Sequence, residues 1–175
     1  YQYDQSRGLL AFLYKVTGTG TRALSHLYPG DTLNVVGPLG NGFHIPAATR
    51  HLLLVARGVG LATLAPLAQE AHRLDRQLTA ICSARSSEHL MSIEHFKALG
   101  AEVITVTDTE GNSDPAALET TMRRLITEEG ADQLYTCGSN RLLKLTQKLG
   151  KETGVDGQIA LEQQMACGIG MCQCC

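Results

Sequence analysis

From His51 onward the chain alternates short apolar runs with stretches whose apolar residues recur at helical spacing, and this rhythm limits the possible folds more than any other feature. His51 to Ala56 reads as a buried strand. Behind it Leu61, Leu64, Leu67, Ala68, Ala71 and Leu74 fall on one helical face. Leu78 to Ser83, Glu102 to Thr107, Gln133 to Thr136 and Gln158 to Leu161 are expected to be further strands. Ser113-Asp114-Pro115 signals a helix start, because a capping side chain stands just before a proline whose missing N–H is not needed in a first turn. Leu118, Met122, Leu125 and Ile126 then form one apolar face, and Leu142, Leu145 and Leu149 mark a later helix. The expected fold class is α/β, with a parallel, doubly wound sheet covered by helices on both faces.

The earlier residues obey a different pattern. Between Leu10 and Gly42, Phe12, Tyr14 and Val16 alternate with other residues, Tyr28-Pro29-Gly30-Asp31 is a turn signal, and Leu33 to Val36 is a second apolar run before Gly37, Pro38, Gly40 and Gly42 break it. Two strands do not make a stable domain, so this segment is expected to be the end of a β-barrel whose beginning precedes Tyr1. With 43% hydrophobic residues and no apolar run of membrane-spanning length, the chain reads as soluble. A formal charge of -2, without a Lys/Arg run, gives no electrostatic footprint for nucleic acid or an anionic membrane.

Four of the six cysteines crowd into the last nine positions, in "MACGIGMCQCC". A disulfide framework spreads its cysteines, whereas a cluster suits metal or redox chemistry in a reducing, cytoplasmic compartment. Cys167, Cys172 and Cys175 have the C-x4-C-x2-C spacing of a plant-type [2Fe-2S] centre, with Cys174 as the spare. Gly168 and Gly170 allow the tight curl such a loop needs. A zinc site, or no metal at all, remains open from the residues alone, and the fourth ligand would lie beyond Cys175.

Three stretches fall at the carboxyl ends of expected strands, where a doubly wound sheet binds ligands. Gly58-Val59-Gly60 follows the first strand and offers bare backbone and a helix N-terminus to a pyrophosphate, or is simply a tight turn. Ser83-Ala84-Arg85 ends the next strand near where an adenosine ribose is read. Arg85 there either faces a 2′-phosphate or is a solvated charge. Thr136-Cys137-Gly138-Ser139-Asn140 opens a later helix, and Cys137 is either a buried thiol or a small polarisable contact for a nicotinamide ring. His26, His44, His51, His72, His89 and His95 form no ligand pair and are expected at the surface.

Five ordered stretches, "FLYKVTGTGTRALSHLYPGDTLNVVGPLGNGF", "ARGVGLATLAPLAQ", "ICSARSSEHL", "YTCGSNRLLK" and "LEQQMACGIGMCQCC", resemble the electron-transfer subunit of the B type of dihydroorotate dehydrogenase, in the ferredoxin–NADP reductase-like superfamily. The resemblance implies a partial FAD-binding β-barrel at 1–48, an NAD(P)-binding α/β domain at 49–161 and an incomplete iron–sulfur loop at 162–175. It implies that electrons pass from NAD(P)H through FAD and a [2Fe-2S] cluster to a catalytic flavoprotein subunit, dihydroorotate dehydrogenase. Gly20 and Thr21 would contact the flavin diphosphate, although an ordinary turn into a short helix at Arg22 to Leu27 explains them equally. Gly58, Val59 and Gly60 would hold the nucleotide pyrophosphate, Ser83 and Arg85 the adenosine end, and Asp108, Gly138 and Ser139 the nicotinamide side, with Cys137 as the catalytic residue. Asp108 alternatively just solvates the turn at Thr107 to Gly111. Cys167, Cys172 and Cys175 would hold the cluster. Ala56-Arg57 stands where that family has glycines, and Thr63 where it has a proline. Arg57 either clashes with a dinucleotide or neutralises its phosphates, and the sequence leaves both open. Two other readings stand beside this one: a subunit serving another reductase or hydrogenase, and a non-catalytic nucleotide- or zinc-binding module.

Overall fold

Five consecutive residues, Leu52 to Ala56, have no solvent exposure at all, so the strand that contains them lies at the centre of the molecule. A strand buried on both faces has no use for alternation, which is why this run is continuously apolar. The structure, a computed structural model, describes residues 1–161, 166–167 and 169–173. In chain order it contains β1 (Gln2–Asp4), β2 (Leu9–Ala11), α1 (Thr19–Leu24), β3 (His51–Arg57), α2 (Gly60–Arg73), β4 (Gln77–Ala84), α3 (Ile93–Ala98), β5 (Glu102–Thr107), α4 (Pro115–Thr127), β6 (Gln133–Cys137), α5 (Asn140–Thr153) and β7 (Asp156–Ala160). Among the described residues no helix is long and apolar enough to cross a membrane.

The larger sheet is entirely parallel and ordered β5-β4-β3-β6-β7. From β3 the chain winds outward through β4 and β5, then returns to the other side of β3 for β6 and β7. Two cores result, one on each face. Leu52, Leu54 and Ala56 of β3 meet α2 and Phe96 of α3, while Leu53 and Val55 meet α4 and α5. Each fully buried leucine contributes about 1.5–3 kcal/mol relative to exposure, so alternate side chains of one strand hold helices on both faces.

The helices start and stop for local reasons. Asp114 caps α4 by accepting N–H bonds from Ala116 (2.9 Å) and Ala117 (3.2 Å), and Pro115 follows it. Gly154, with φ of 74°, ends α5 in the left-handed conformation that glycine adopts without strain. β5 has the expected bounds, β3, β4 and β6 exceed theirs by one residue at one or both ends, and β7 runs from Asp156 to Ala160 rather than from Gln158 to Leu161.

Two expectations fail. Phe12 to Val16 and Leu33 to Val36 are not strands: only the β1–β2 hairpin forms in this region, and Phe12 (61% exposed) and Val36 (76% exposed) face solvent. An apolar run becomes a strand only when a neighbour supplies ladder hydrogen bonds and a core covers one face. His51, expected at the surface, is buried. Its Nδ1 lies 3.1 Å from the Glu129 carbonyl oxygen and its Nε2 2.9 Å from the Thr79 hydroxyl, so both ring nitrogens are satisfied at the start of β3.

A strap at Phe43–Ile45 joins the first part of the chain to the sheet. The Gln158 side chain accepts the His44 N–H (3.0 Å) and donates to the His44 carbonyl (2.7 Å), and the Tyr135 hydroxyl donates to that same carbonyl at 2.7 Å. Phe43 meets the Tyr135 ring edge-on, with centroids 5.5 Å apart. Between strap, α2 and β7 lies a cavity of about 860 Å³.

Candidate functional site

Strand order reverses between β3 and β6, so the loops that leave these neighbouring strands head to opposite faces of the sheet and a crevice opens above their carboxyl ends. The loop after β3 is Gly58-Val59, running into α2 at Gly60. The loop after β6 is Gly138-Ser139, running into α5. Glycine is needed in both, for different reasons.

A methyl group on Gly60 would stand 2.8 Å from the Cys137 carbonyl oxygen, and one on Gly138 would stand 2.9 Å from the Arg57 carbonyl oxygen. The two loops therefore pack backbone against backbone to form the crevice floor. Gly58 is the opposite case: its φ of 56° is left-handed, yet no atom lies within 4 Å of where its Cβ would be. It faces open space at the positive end of a 14-residue helix. Of the three residues expected to hold a pyrophosphate, Gly58 faces open space, Val59 is the residue before the first turn of α2, and Gly60 serves loop packing.

Cys137 is 3% exposed and lines a cavity of about 200 Å³ with Ser139, Asn140 and Ala160. Ile159 and Ala160 line this cavity and the larger one beside the strap, so β7 separates the two spaces. The Ser139 hydroxyl accepts the Leu142 N–H at 3.3 Å and caps α5, which fixes the direction in which the helix leaves the loop.

Ser83, expected at the adenosine end, and Asp108, expected on the nicotinamide side, are tied together by a residue that the sequence reading left undecided. Arg57, last in β3, reaches across the ends of β4 and β5. Its two terminal nitrogens donate to the two carboxylate oxygens of Asp108 at 3.1 and 2.6 Å, and the first also donates to the Ser83 hydroxyl (3.0 Å) and the Ala84 carbonyl (3.2 Å). The Ser113 hydroxyl donates to Asp108 as well. The Arg57 hydrogen bonds, with that of Ser113 behind them, bring the Asp108 carboxyl down to about 2. Asp108 thus does more than solvate its turn. Ser83 is buried with its hydroxyl already engaged, whereas Arg85 is exposed. One signal for this network was present in the sequence: a cation and a carboxylate, each at the carboxyl end of a parallel strand.

Gly20 and Thr21 lie in α1, and among the described residues no hydrogen bond joins them to the crevice. The Thr21 hydroxyl accepts the N–H groups of Thr17 (3.0 Å) and Gly18 (3.1 Å) and so caps its own six-residue helix, which begins at Thr19 rather than Arg22. Gly20 has open space where a side chain would stand.

In the tail, the Cys172 N–H donates to the Cys167 sulfur at 3.4 Å. Backbone N–H groups of Cys172 first, then Ile169, lower the Cys167 thiol to about 6. A sulfur held as a thiolate by surrounding N–H groups has the chemistry of a metal ligand. Among the described residues no three metal-binding side chains converge, and Cys175 lies outside them. Cys82 is the contrast: burial pushes its thiol up to about 12.

No family model matches the chain. It is 32% identical over 175 residues to the dihydroorotate dehydrogenase B (NAD(+)) electron transfer subunit of Desulforamulus reducens, an alignment covering 100% of this chain and 67% of that protein. The subunit of the same name from Caldanaerobacter subterraneus subsp. tengcongensis is 37% identical over 166 residues, 95% of this chain and 64% of that one. The chain therefore spans about two thirds of the length of these relatives. Among solved structures, that of an NADH-dependent reduced ferredoxin–NADP oxidoreductase superposes with a TM-score of 0.74 at 31% identity, covering 93% of this chain and 58% of that chain. On fold, ordered motifs and these identities, the chain belongs to the family of dihydroorotate dehydrogenase B electron transfer subunits.

Proposed function

We propose that this chain is the nucleotide-side portion of a cytoplasmic oxidoreductase subunit that takes electrons from NAD(P)H and passes them through FAD and a [2Fe-2S] cluster to a dihydroorotate dehydrogenase partner. The observation that carries the reading is the switch point of the parallel sheet, where the open Gly58 turn enters α2 beside the Gly138-Ser139 loop, in a member of this family. When bound, a nicotinamide supplies two electrons as hydride, a flavin divides them, and an iron–sulfur cluster accepts them singly.

This chain's own residues supply binding and order. Gly58 and Val59 admit the pyrophosphate beside the start of α2, where the helix dipole favours negative charge. Gly138 keeps the second loop low, so that the Cys137 end of β6 forms a flat wall for the nicotinamide side. Ser83 and Arg85 border the adenosine side, and Asp108, expected on the nicotinamide side, is tied to Ser83 through Arg57. Residues 1–48, with Gly20 and Thr21, belong to the flavin domain, 49–161 to the nucleotide domain and 162–175 to the cluster loop. Cys167, Cys172 and Cys175 would hold the cluster, a role that the thiolate character of Cys167 supports.

The test is anaerobic purification of the full-length parent protein, with absorption spectroscopy, metal analysis and NAD(P)H oxidation. Flavin and iron–sulfur bands with turnover of an artificial acceptor are expected. A colourless protein with stoichiometric zinc would overturn the relay. Cys172→Ser should leave reduction of the flavin by NAD(P)H within about twofold of the parent, while delivery to the partner falls by at least about tenfold. Equal loss of both would make Cys172 a structural residue.

A further inference from the structure

The Arg57–Asp108 pair lies one residue from the open Gly58 turn, and its geometry is that of a site already filled. Arginine recognises carboxylate and phosphate through the same planar fork of N–H donors. Here both terminal nitrogens of Arg57 are aimed at Asp108, and one is shared with Ser83 and Ala84. A phosphate arriving beside Gly58 cannot take this fork in bidentate fashion unless the Asp108 carboxylate leaves it.

The pair is also placed to be exchanged. The Arg57 side chain is 25% exposed and that of Asp108 42%, so the ion pair sits at the solvent rim rather than in the core. A competing anion can therefore reach the Arg57 fork from solvent without opening the core. Ser113 donates to the same Asp108 oxygen as the first Arg57 nitrogen, Arg141 adds a favourable charge, and Arg85 is exposed two residues beyond Ser83. Asp108 is the one carboxylate that accepts from the Arg57 fork.

We infer that Asp108 is a built-in competitor for the nucleotide's phosphate: it occupies the Arg57 fork in the empty protein, a dinucleotide phosphate displaces it, and the exchange sets nucleotide affinity. The inference rests on the nucleotide-binding reading above and goes beyond it, since it gives Arg57 and Asp108 opposed effects on the same ligand. It also answers what an arginine does beside the turn: it serves as the phosphate's counter-charge, held in reserve.

The test is direct titration of the full chain with NADH and with NADPH, at low and high salt, for the wild type, D108N, R57A and the double variant, each checked for folding by thermal melting. Asparagine keeps the one oxygen that accepts from both Ser113 and the first Arg57 nitrogen, gives up the charge, and sets a donor against the second Arg57 nitrogen. D108N should bind about threefold to tenfold more tightly with a steeper loss on adding salt, and R57A more weakly by a similar factor. The advantage of D108N should vanish in the double variant. Should D108N fail to fold, S113A, which frees Asp108 to swing away, should shift affinity in the same direction. Binding by D108N or S113A equal to or weaker than wild type overturns the inference, and so does an Asp108 effect that persists without Arg57. A wild type that binds neither nucleotide overturns the nucleotide reading as well, so the two failures are distinguishable.

Discussion

At the scale of single residues, the three glycines of the crevice have separable roles, and substitution distinguishes them. Gly60→Ala and Gly138→Ala each force a methyl group to within 3 Å of a backbone carbonyl oxygen that cannot retreat. Each should destabilise by about 2 kcal/mol or more, read as a fall in melting temperature. Gly58→Ala meets no atom and carries only the left-handed backbone strain, about 1 kcal/mol, so its larger effect should be on nucleotide affinity. The pH response of Asp108 follows from its lowered pKa. Its contribution to stability is complete above the ordinary aspartate value near 4 and disappears as pH falls toward 2, so D108N should flatten acid unfolding in that interval. That the glycine turn and Cys137 stand at the carboxyl ends of strands was legible in the sequence, because the strands themselves were recognisable. That Gly60 packs a loop rather than a ligand was not, because the carbonyl it meets comes from Cys137, far away along the chain. The Arg57–Asp108 pair was hidden for a similar reason: adjacency of β3, β4 and β5 ends is a property of the sheet, and the local pattern around Arg57 is only that of a charged residue ending a strand.

At the scale of elements, caps and burial were easier to read than pairing. Asp114 was recognisable as a cap from its place before Pro115, and Asp114→Ala should cost about 1 kcal/mol by leaving two N–H groups of α4 without their acceptor, measurable by thermal or denaturant unfolding. The α3 helix went unseen. It has six residues, only Phe96 is buried, and it starts after Ser92 in a left-handed conformation (φ of 63°), so neither apolar period nor capping signal marks it. His51 was misjudged because a histidine opening an apolar run reads as the polar edge of a strand, whereas neighbouring backbone and Thr79 satisfy both its nitrogens. The strands expected at Phe12–Val16 and Leu33–Val36 show the limit of pattern alone: alternation marks a face able to be covered, and pairing needs a neighbour. Hydrogen exchange should reflect this division. Amides of β3, β4 and β6 should exchange only through global unfolding, while those from 12 to 17 and 31 to 39, outside any ladder, should exchange orders of magnitude faster. Comparable protection in both regions would contradict the structure.

For the whole molecule, the arrangement is a nucleotide-fold sheet with a strapped-on first segment and a cysteine-bearing tail. Phe43, His44, Tyr135 and Gln158 fix where the first segment leaves the sheet, and β7 runs between the crevice cavity and the cavity beneath the strap. This joins the proposed nucleotide site to the part of the chain proposed to serve the flavin. The doubly wound order followed from the sequence because alternating strands and helices, with right-handed crossovers, admit few topologies. The central claim is that a nicotinamide nucleotide docks where strand order reverses. It is tested most directly by backbone amide NMR of the chain titrated with NADH: saturable shifts centred on Gly58, Val59 and Cys137–Ser139, with smaller ones at Arg57 and Asp108, are predicted. Shifts confined to the strap cavity or to α4 and α5, with the 58–60 and 137–139 amides unmoved at saturation, would contradict it.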